Sequence, residues 1–128
     1  MMLAGRGDET RHRKALELFF ESWEYLAVRK SQRGTHIKPY GIAPYYFMFG
    51  HLYCAQAIEQ IKDKEAREGF RLQMRQTLAR SVDKSGTWND RQFGRSAGYG
   101  TAMALMSMHM NRLPKPHQWQ PGAVEGKK

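Results

Sequence analysis

Two stretches of this chain run in step. Gly34-Thr35-His36 lies over Gly86-Thr87-Trp88, 52 residues on, and Leu26 lies over Leu78 at the same offset. With one inserted residue, Tyr46 lies over Tyr99, Leu52 over Leu105 and Cys54 over Ser107. A repeat constrains the fold more than composition does, because one unit cannot bury its inner face alone and must stack on the next. Each unit reads as an outer helix, a Gly-Thr-aromatic turn, a loop and an inner helix. The repeats cover about residues 10–62 and 63–110.

The hydrophobic pattern agrees. In the first segment Leu16, Phe19, Phe20, Trp23, Leu26 and Ala27 follow the spacing of one apolar helix face. Asp8 or Thr10 is placed to cap it, and the pattern runs to about Lys30. "SQRGTHIKPYGIAP" carries two glycines and two prolines and reads as a loop. Pro44 suits the first turn of the next helix, where its missing N–H costs nothing. That helix, "YYFMFGHLYCAQAIEQI", is apolar over almost its whole circumference and reads as a buried core helix. The third, from about Asp63 to Val82, steps Ala66, Phe70, Met74, Leu78 and Val82 along one face. The fourth covers about Ala97 to Met110, with Ser96 as N-cap and small residues, Gly98 and Gly100 among them, for close packing. The expectation is an all-α domain over residues 1–112, alternating outer and inner helices. Residues 113–128 read as an extended or disordered tail, with Trp119 able to pin it.

A chain of 128 residues with 41% hydrophobic content makes one domain with a core. It has no run of about 18 apolar residues for a membrane span. The charged start "MMLAGRGDETRHRK" has no apolar core of a signal peptide. Cys54 is the single cysteine, so an internal disulfide is excluded. The net charge of +9 favours acidic partners in general.

"LARSVDKSGTWND…YGTAMALMSM" resembles the repeat of the prenyltransferase and squalene-oxidase group, whose members form α/α toroids. These include the terpenoid cyclases and the β subunits of protein prenyltransferases. Gly86 and Trp88 match the glycine and tryptophan of the group's turn motif, and Thr87 stands for its serine. The "YYFMFGHLYCAQAI" helix is similar to the group's inner helices. Val82 stands where that motif has glutamine, Ser85 replaces its acidic residue, and His36 replaces the tryptophan in the first unit. The cyclases' aspartate-rich acid motif, the prenyltransferases' zinc ligands and the thioester motif of related complement domains have no counterpart here. The resemblance therefore implies a partial toroid of two hairpins without catalytic residues or a cofactor.

Each candidate site residue has a plain structural alternative. Tyr45, Tyr46 and Tyr99 start the inner helices, where similar toroids line their cavity, and Arg95 could support an anion at a helix N-terminus. Their alternative is packing between hairpins. His51 and Cys54, at i and i+3, are two-thirds of a zinc set at best. A hydrogen-bonded core histidine and a buried thiol explain them as well. Gly86, Trp88, Asn89 and Asp90 form the repeat turn, with the indole filling a gap and Asn89 or Asp90 capping backbone N–H groups. Met103, Met106 and Met110 share a face and read as core. Arg67, Arg71 and Arg75 make a basic stripe, and Arg11, Arg13 and Lys14 a second cluster. No nucleic-acid motif accompanies them, so a solvated face is the simpler reading.

The leading functional expectation is a non-catalytic helical repeat domain, a scaffold or a ligand- or partner-binding part of a larger protein or oligomer. It would associate with copies of itself or with the rest of a longer chain. The alternatives are the wall of a cyclase-like cavity for an apolar molecule, with Tyr45, Tyr46, His51 and Tyr99 lining it, and a basic module for an acidic partner.

Overall fold

The computed structural model describes residues 8–36, 38 and 41–114. Among them the fold is all-α, mostly helical and without strands. The helices are α1 (Glu9–Glu21), α2 (Trp23–Ala27), α3 (Tyr46–Ile58), α4 (Lys64–Arg80) and α5 (Ala97–Met108). Short 3-10 turns, Gly94–Ser96 and Met110–Arg112, flank α5. Leu113 and Pro114 are the only described residues of the expected tail; the rest of it, with Trp119, lies outside the described residues.

Side-chain caps set two helix starts. Asp8 accepts from the Arg11 N–H at 2.8 Å and Asp63 from the Ala66 N–H at 2.9 Å. That bond, with Arg13 nearby, holds the Asp63 carboxyl below its ordinary value. Ser96 does not cap α5 through its side chain. Its hydroxyl donates to Phe93 O and Asn89 Oδ1 instead, because the 3-10 turn continues the chain in front of α5.

The first outer helix is interrupted, whereas the periodicity alone predicts one run to Lys30. It breaks at Ser22, whose N–H is shared between Leu18 O and Phe20 O, and α2 ends at Ala27. The apolar side survives the break. Leu16 and Trp23 are buried, and Phe19, Phe20, Leu26 and Ala27 pack on the core. α4 stops at Arg80, so Val82 does not continue its apolar row; it lies beyond the helix and is exposed. The reason is the close at Leu78, whose carbonyl accepts from Ser81 N, Ser81 Oγ and the indole of Trp88.

α3 and α5 lie side by side and run parallel. Phe49 meets Tyr99 near their first turns, while Ala55 and Ile58 line one small cavity with Ser107 and Met108 near their last. Met48, Ile58, Met74, Leu78, Met103 and Ala104 form the core between these helices and α4. The inner helices are not buried all round. Tyr46, Tyr53, Tyr99, Leu105 and Met106 are exposed, so no described residue covers one face of the α3–α5 pair. Met106 thus leaves the core set, while Met103 is buried and Met110, in the 3-10 turn past α5, still packs on the core.

Most of the expected basic surface is tied up internally. Arg67 donates to Ile61 O, and Arg71 binds Glu59 and Glu68. Arg11 pairs with Asp8, Arg13 with Glu9 and Asp63, and Lys14 with Glu17 and Glu21. Arg75 alone of the α4 stripe is left exposed without a salt bridge among the described residues. Surface pairs of this kind contribute little stability, but they cancel charge where a polyanion would need it.

Candidate functional site

The loops around Gly34 and Gly86, aligned in the sequence, meet at the N-terminal ends of α3 and α5. Both glycines take φ of +77°, a left-handed conformation that glycine adopts without strain. Ser31 N donates to Asp90 O at 3.0 Å and Ser31 Oγ to Asn89 O at 2.9 Å, so one turn is stitched to the other. Arg29 reaches back with three bonds, to Ile42 O, Arg33 O and Gly34 O. The loop is thereby fixed by bonds rather than by burial.

Trp88 and its neighbours hold the second turn. The indole N–H donates to Leu78 O at 2.8 Å and the Trp88 N–H to Thr101 Oγ1 at 3.1 Å, tying the end of α4 to α5. Asn89 accepts from the Arg91 N–H and the Ser96 hydroxyl, and its amide donates to Phe93 O. Asp90 is fully buried, and its Oδ2 accepts from the Met48 N–H at 3.1 Å in the first turn of α3. A carboxylate at that end also meets the positive end of the helix dipole. Burial nevertheless pushes the Asp90 carboxyl above its ordinary value, and Oδ1 has no hydrogen-bond partner. The closest cation is Arg91, with Nε at 3.7 Å.

Tyr46 N and Phe47 N bond to Ala43 O and Pro44 O, and Met48 N to Asp90, so these first-turn amides of α3 are closed to an outside anion. At the start of α5, where an anion is expected beside Arg95, the Ser96 and Ala97 N–H groups bond to Phe93 O and Gly94 O. Removing the Asp90 cap has a predictable cost. Asp90→Ala should destabilise the fold by about 2 kcal/mol, the loss of a buried charge-assisted bond that strands a backbone donor. Asp90→Asn, which keeps an acceptor oxygen, should cost about half as much. Urea unfolding of the two variants at pH 7 checks the order; equal losses would mean the bond to Met48 contributes nothing.

The structure brings Tyr45, Tyr46 and Tyr99 together and leaves His51 and Arg95 out. The Tyr45 and Tyr46 rings are 4.7 Å apart, and Phe49 lies 6.5 Å from Tyr45 and 6.1 Å from Tyr99. Hydrogen bonding to Tyr45 raises the Tyr46 phenol above its ordinary value, and burial raises that of Tyr99. The Arg91 guanidinium sits over both Tyr45 and Tyr99, at 5.9 and 5.1 Å from the ring centres. Arg95 stacks on Phe93 and is exposed.

His51 points the other way, into the core. Trp23 Nε1–H donates to its Nε2 at 3.0 Å, and its Nδ1–H donates to Phe47 O at 2.6 Å. Phe19 and Phe47 pack on the ring. Burial lowers its pKa to about 4, so the imidazole is neutral with both nitrogens in use. The Cys54 thiol, buried beside it, is pushed up to about 12. His51 and Cys54 share a helix face, but no third ligand joins them among the described residues.

Sequence reasoning missed Arg91, Arg33 and Phe93, which join Tyr45 around a cleft of about 350 Å³ between the turns. Nothing in a single loop sequence marks residues from two loops as neighbours. It also missed Phe49 and Tyr53, although Tyr46, Phe49 and Tyr53 repeat at i, i+3, i+7. That spacing could have shown an aromatic stripe inside a helix that looked uniformly apolar. No family model, curated protein or solved structure matches this chain.

Proposed function

We propose that this chain is a non-catalytic α/α repeat module of toroid type, which presents the aromatic face of its two inner helices to an apolar ligand or partner. The observation that carries the reading is the α3–α5 face that no described residue covers: Tyr46, Tyr53, Tyr99, Leu105 and Met106 on two parallel helices, with half-buried Phe49 between Tyr53 and Tyr99. Apolar surface gathered in this way marks an interaction site. The matched φ of Gly34 and Gly86 supports the repeat. The groups able to do chemistry already have structural work. Asp90 caps α3, Asp63 caps α4, His51 receives the Trp23 N–H, and the Cys54 thiol is held protonated. Such a face would be completed by further repeats or by a second copy of the chain.

Binding of the neutral dye Nile red, with molar mass by light scattering at rising concentration, tests the reading. The wild type should bind the dye saturably or form a concentration-dependent oligomer. The double variant Tyr53→Ser, Met106→Ser changes two exposed side chains on the face. It should weaken either process at least about tenfold, since burying one such side chain contributes about 1.5–3 kcal/mol. A wild type that stays monomeric and binds no dye would refute the proposal.

A further inference from the structure

The cleft between the turns has chemistry the aromatic face lacks. It is lined by Gln32, Arg33 and Thr35 from the first turn and by Tyr45, Arg91 and Phe93 from the α3 start and the second loop. Arg33 and Arg91 line it, and no Asp or Glu does among the described residues. Arg33 has no salt bridge or side-chain hydrogen bond among the described residues. Arg91 is braced from behind by Asp90 and laterally by the Tyr45 and Tyr99 rings. The walls are preorganised by the Arg29 fan, by the Ser31 bonds to Asn89 and Asp90, and by Asn89. Phe93 offers its ring beside the charges and is 60% exposed. A cavity with a few convergent polar groups and an apolar wall is how small-molecule sites are built, and guanidinium is suited to bidentate contact with an oxyanion.

We propose that this cleft binds a small organic oxyanion, a carboxylate or phosphate on an aromatic or apolar body, with Arg33 and Arg91 holding the anion and Phe93 and Tyr45 flanking the body. The α3 terminus does not supply the contacts, because Asp90 already fills it. This site lies at the rim of the α3–α5 face and is independent of whether that face is a cavity wall.

The test is a titration of the full isotope-labelled chain by NMR with phenyl phosphate, benzoate and inorganic phosphate in turn. Phenyl phosphate or benzoate should shift the amides of Gly34, Thr35, Gln92 and Phe93 saturably at millimolar concentration or below, and whichever binds more tightly tells phosphate from carboxylate. Arg33→Gln, an exposed change that leaves the core intact, should weaken binding about tenfold, and so should Arg91→Gln, as loss of a charge-assisted contact requires. The Tyr53→Ser, Met106→Ser variant should bind these probes as the wild type does, which separates this site from the aromatic face. Inorganic phosphate binding as tightly as phenyl phosphate would overturn the role given to Phe93 and Tyr45. Shifts spread over the basic surface, unchanged affinity in Arg33→Gln, or no shift at all would overturn the site.

Discussion

Between pH 6.5 and pH 4 the fold is expected to lose about 3 kcal/mol through His51 alone. The imidazole has an ordinary value of 6.5 in the unfolded chain and of about 4 in the fold, where burial lowers it. Below pH 6.5 the unfolded chain therefore takes up a proton that the folded chain refuses. Stability is fully present above 6.5 and drains away until the pH reaches about 4. Protonation at Nε2 would also expel the Trp23 N–H, since that nitrogen accepts the bond. Asp90 runs in the opposite sense. Its folded value is raised by burial, so the cost of its buried charge is relieved as acid protonates it. Wild type alone would mix the two, and a variant isolates His51. His51→Gln keeps an oxygen acceptor for Trp23 and has no titration. Its stability deficit, read from urea unfolding at pH 7 and near pH 4, should shrink by about 3 kcal/mol on acidification. Two curves that run parallel with pH would mean His51 is not buried neutral in solution.

The elements were legible where one helix decides its own fate. Leu16, Phe19, Trp23 and Leu26 name the inward side of the first helical run, and Asp8 its cap, because periodicity and capping act within a few residues. The break at Ser22 was not legible. Helical periodicity continues through Leu26, and the interruption goes with a bond from Trp23 to His51, 28 residues away. The inner helices misled in another way. "YYFMFGHLYCAQAI" has so little polar contrast that a buried face and an uncovered one look alike. Only the packing of α4 and α5 on α3 shows that Met48, Cys54 and Ile58 point in while Tyr46 and Tyr53 point out. The candidate site was half legible for the same reason. Tyr45, Tyr46 and Tyr99 follow from where the two apolar helices begin, but their partner Arg91 arrives by a loop whose path depends on Asp90 reaching α3. His51, the most chemically suggestive residue in the sequence, turned inward instead.

Replacing Gly100 with alanine is expected to be the most damaging of the glycine changes, at about 3 kcal/mol. A Cβ there would lie 2.3 Å from Trp88 O, 3.0 Å from Trp88 C and 3.3 Å from Asn89 Cα. These are backbone atoms, and no rotamer change can move them aside. Nor can the turn retreat cheaply. Trp88 is bonded to Leu78 O through its indole and to Thr101 through its N–H, while Asn89 holds Arg91, Phe93 and Ser96. The same segment carries Asp90 to α3, so a shift of the turn would also strain the cap on Met48. Gly69→Ala is the control. Nothing lies within 4 Å of its Cβ and it sits inside α4, so alanine there should stabilise by about 0.5–1 kcal/mol. Gly50→Ala falls between them, since its Cβ would meet only the side-chain tips of Leu26 and Phe19, at 3.2 and 3.4 Å. Thermal unfolding should order the three variants accordingly, with Gly100→Ala lowered by at least about 10 °C for a domain of this size. If Gly100→Ala melts with the wild type, the Trp88 turn does not rest on α5. The joint between the Trp88 loop and α5, and with it the cleft between the two loops, would then be built some other way.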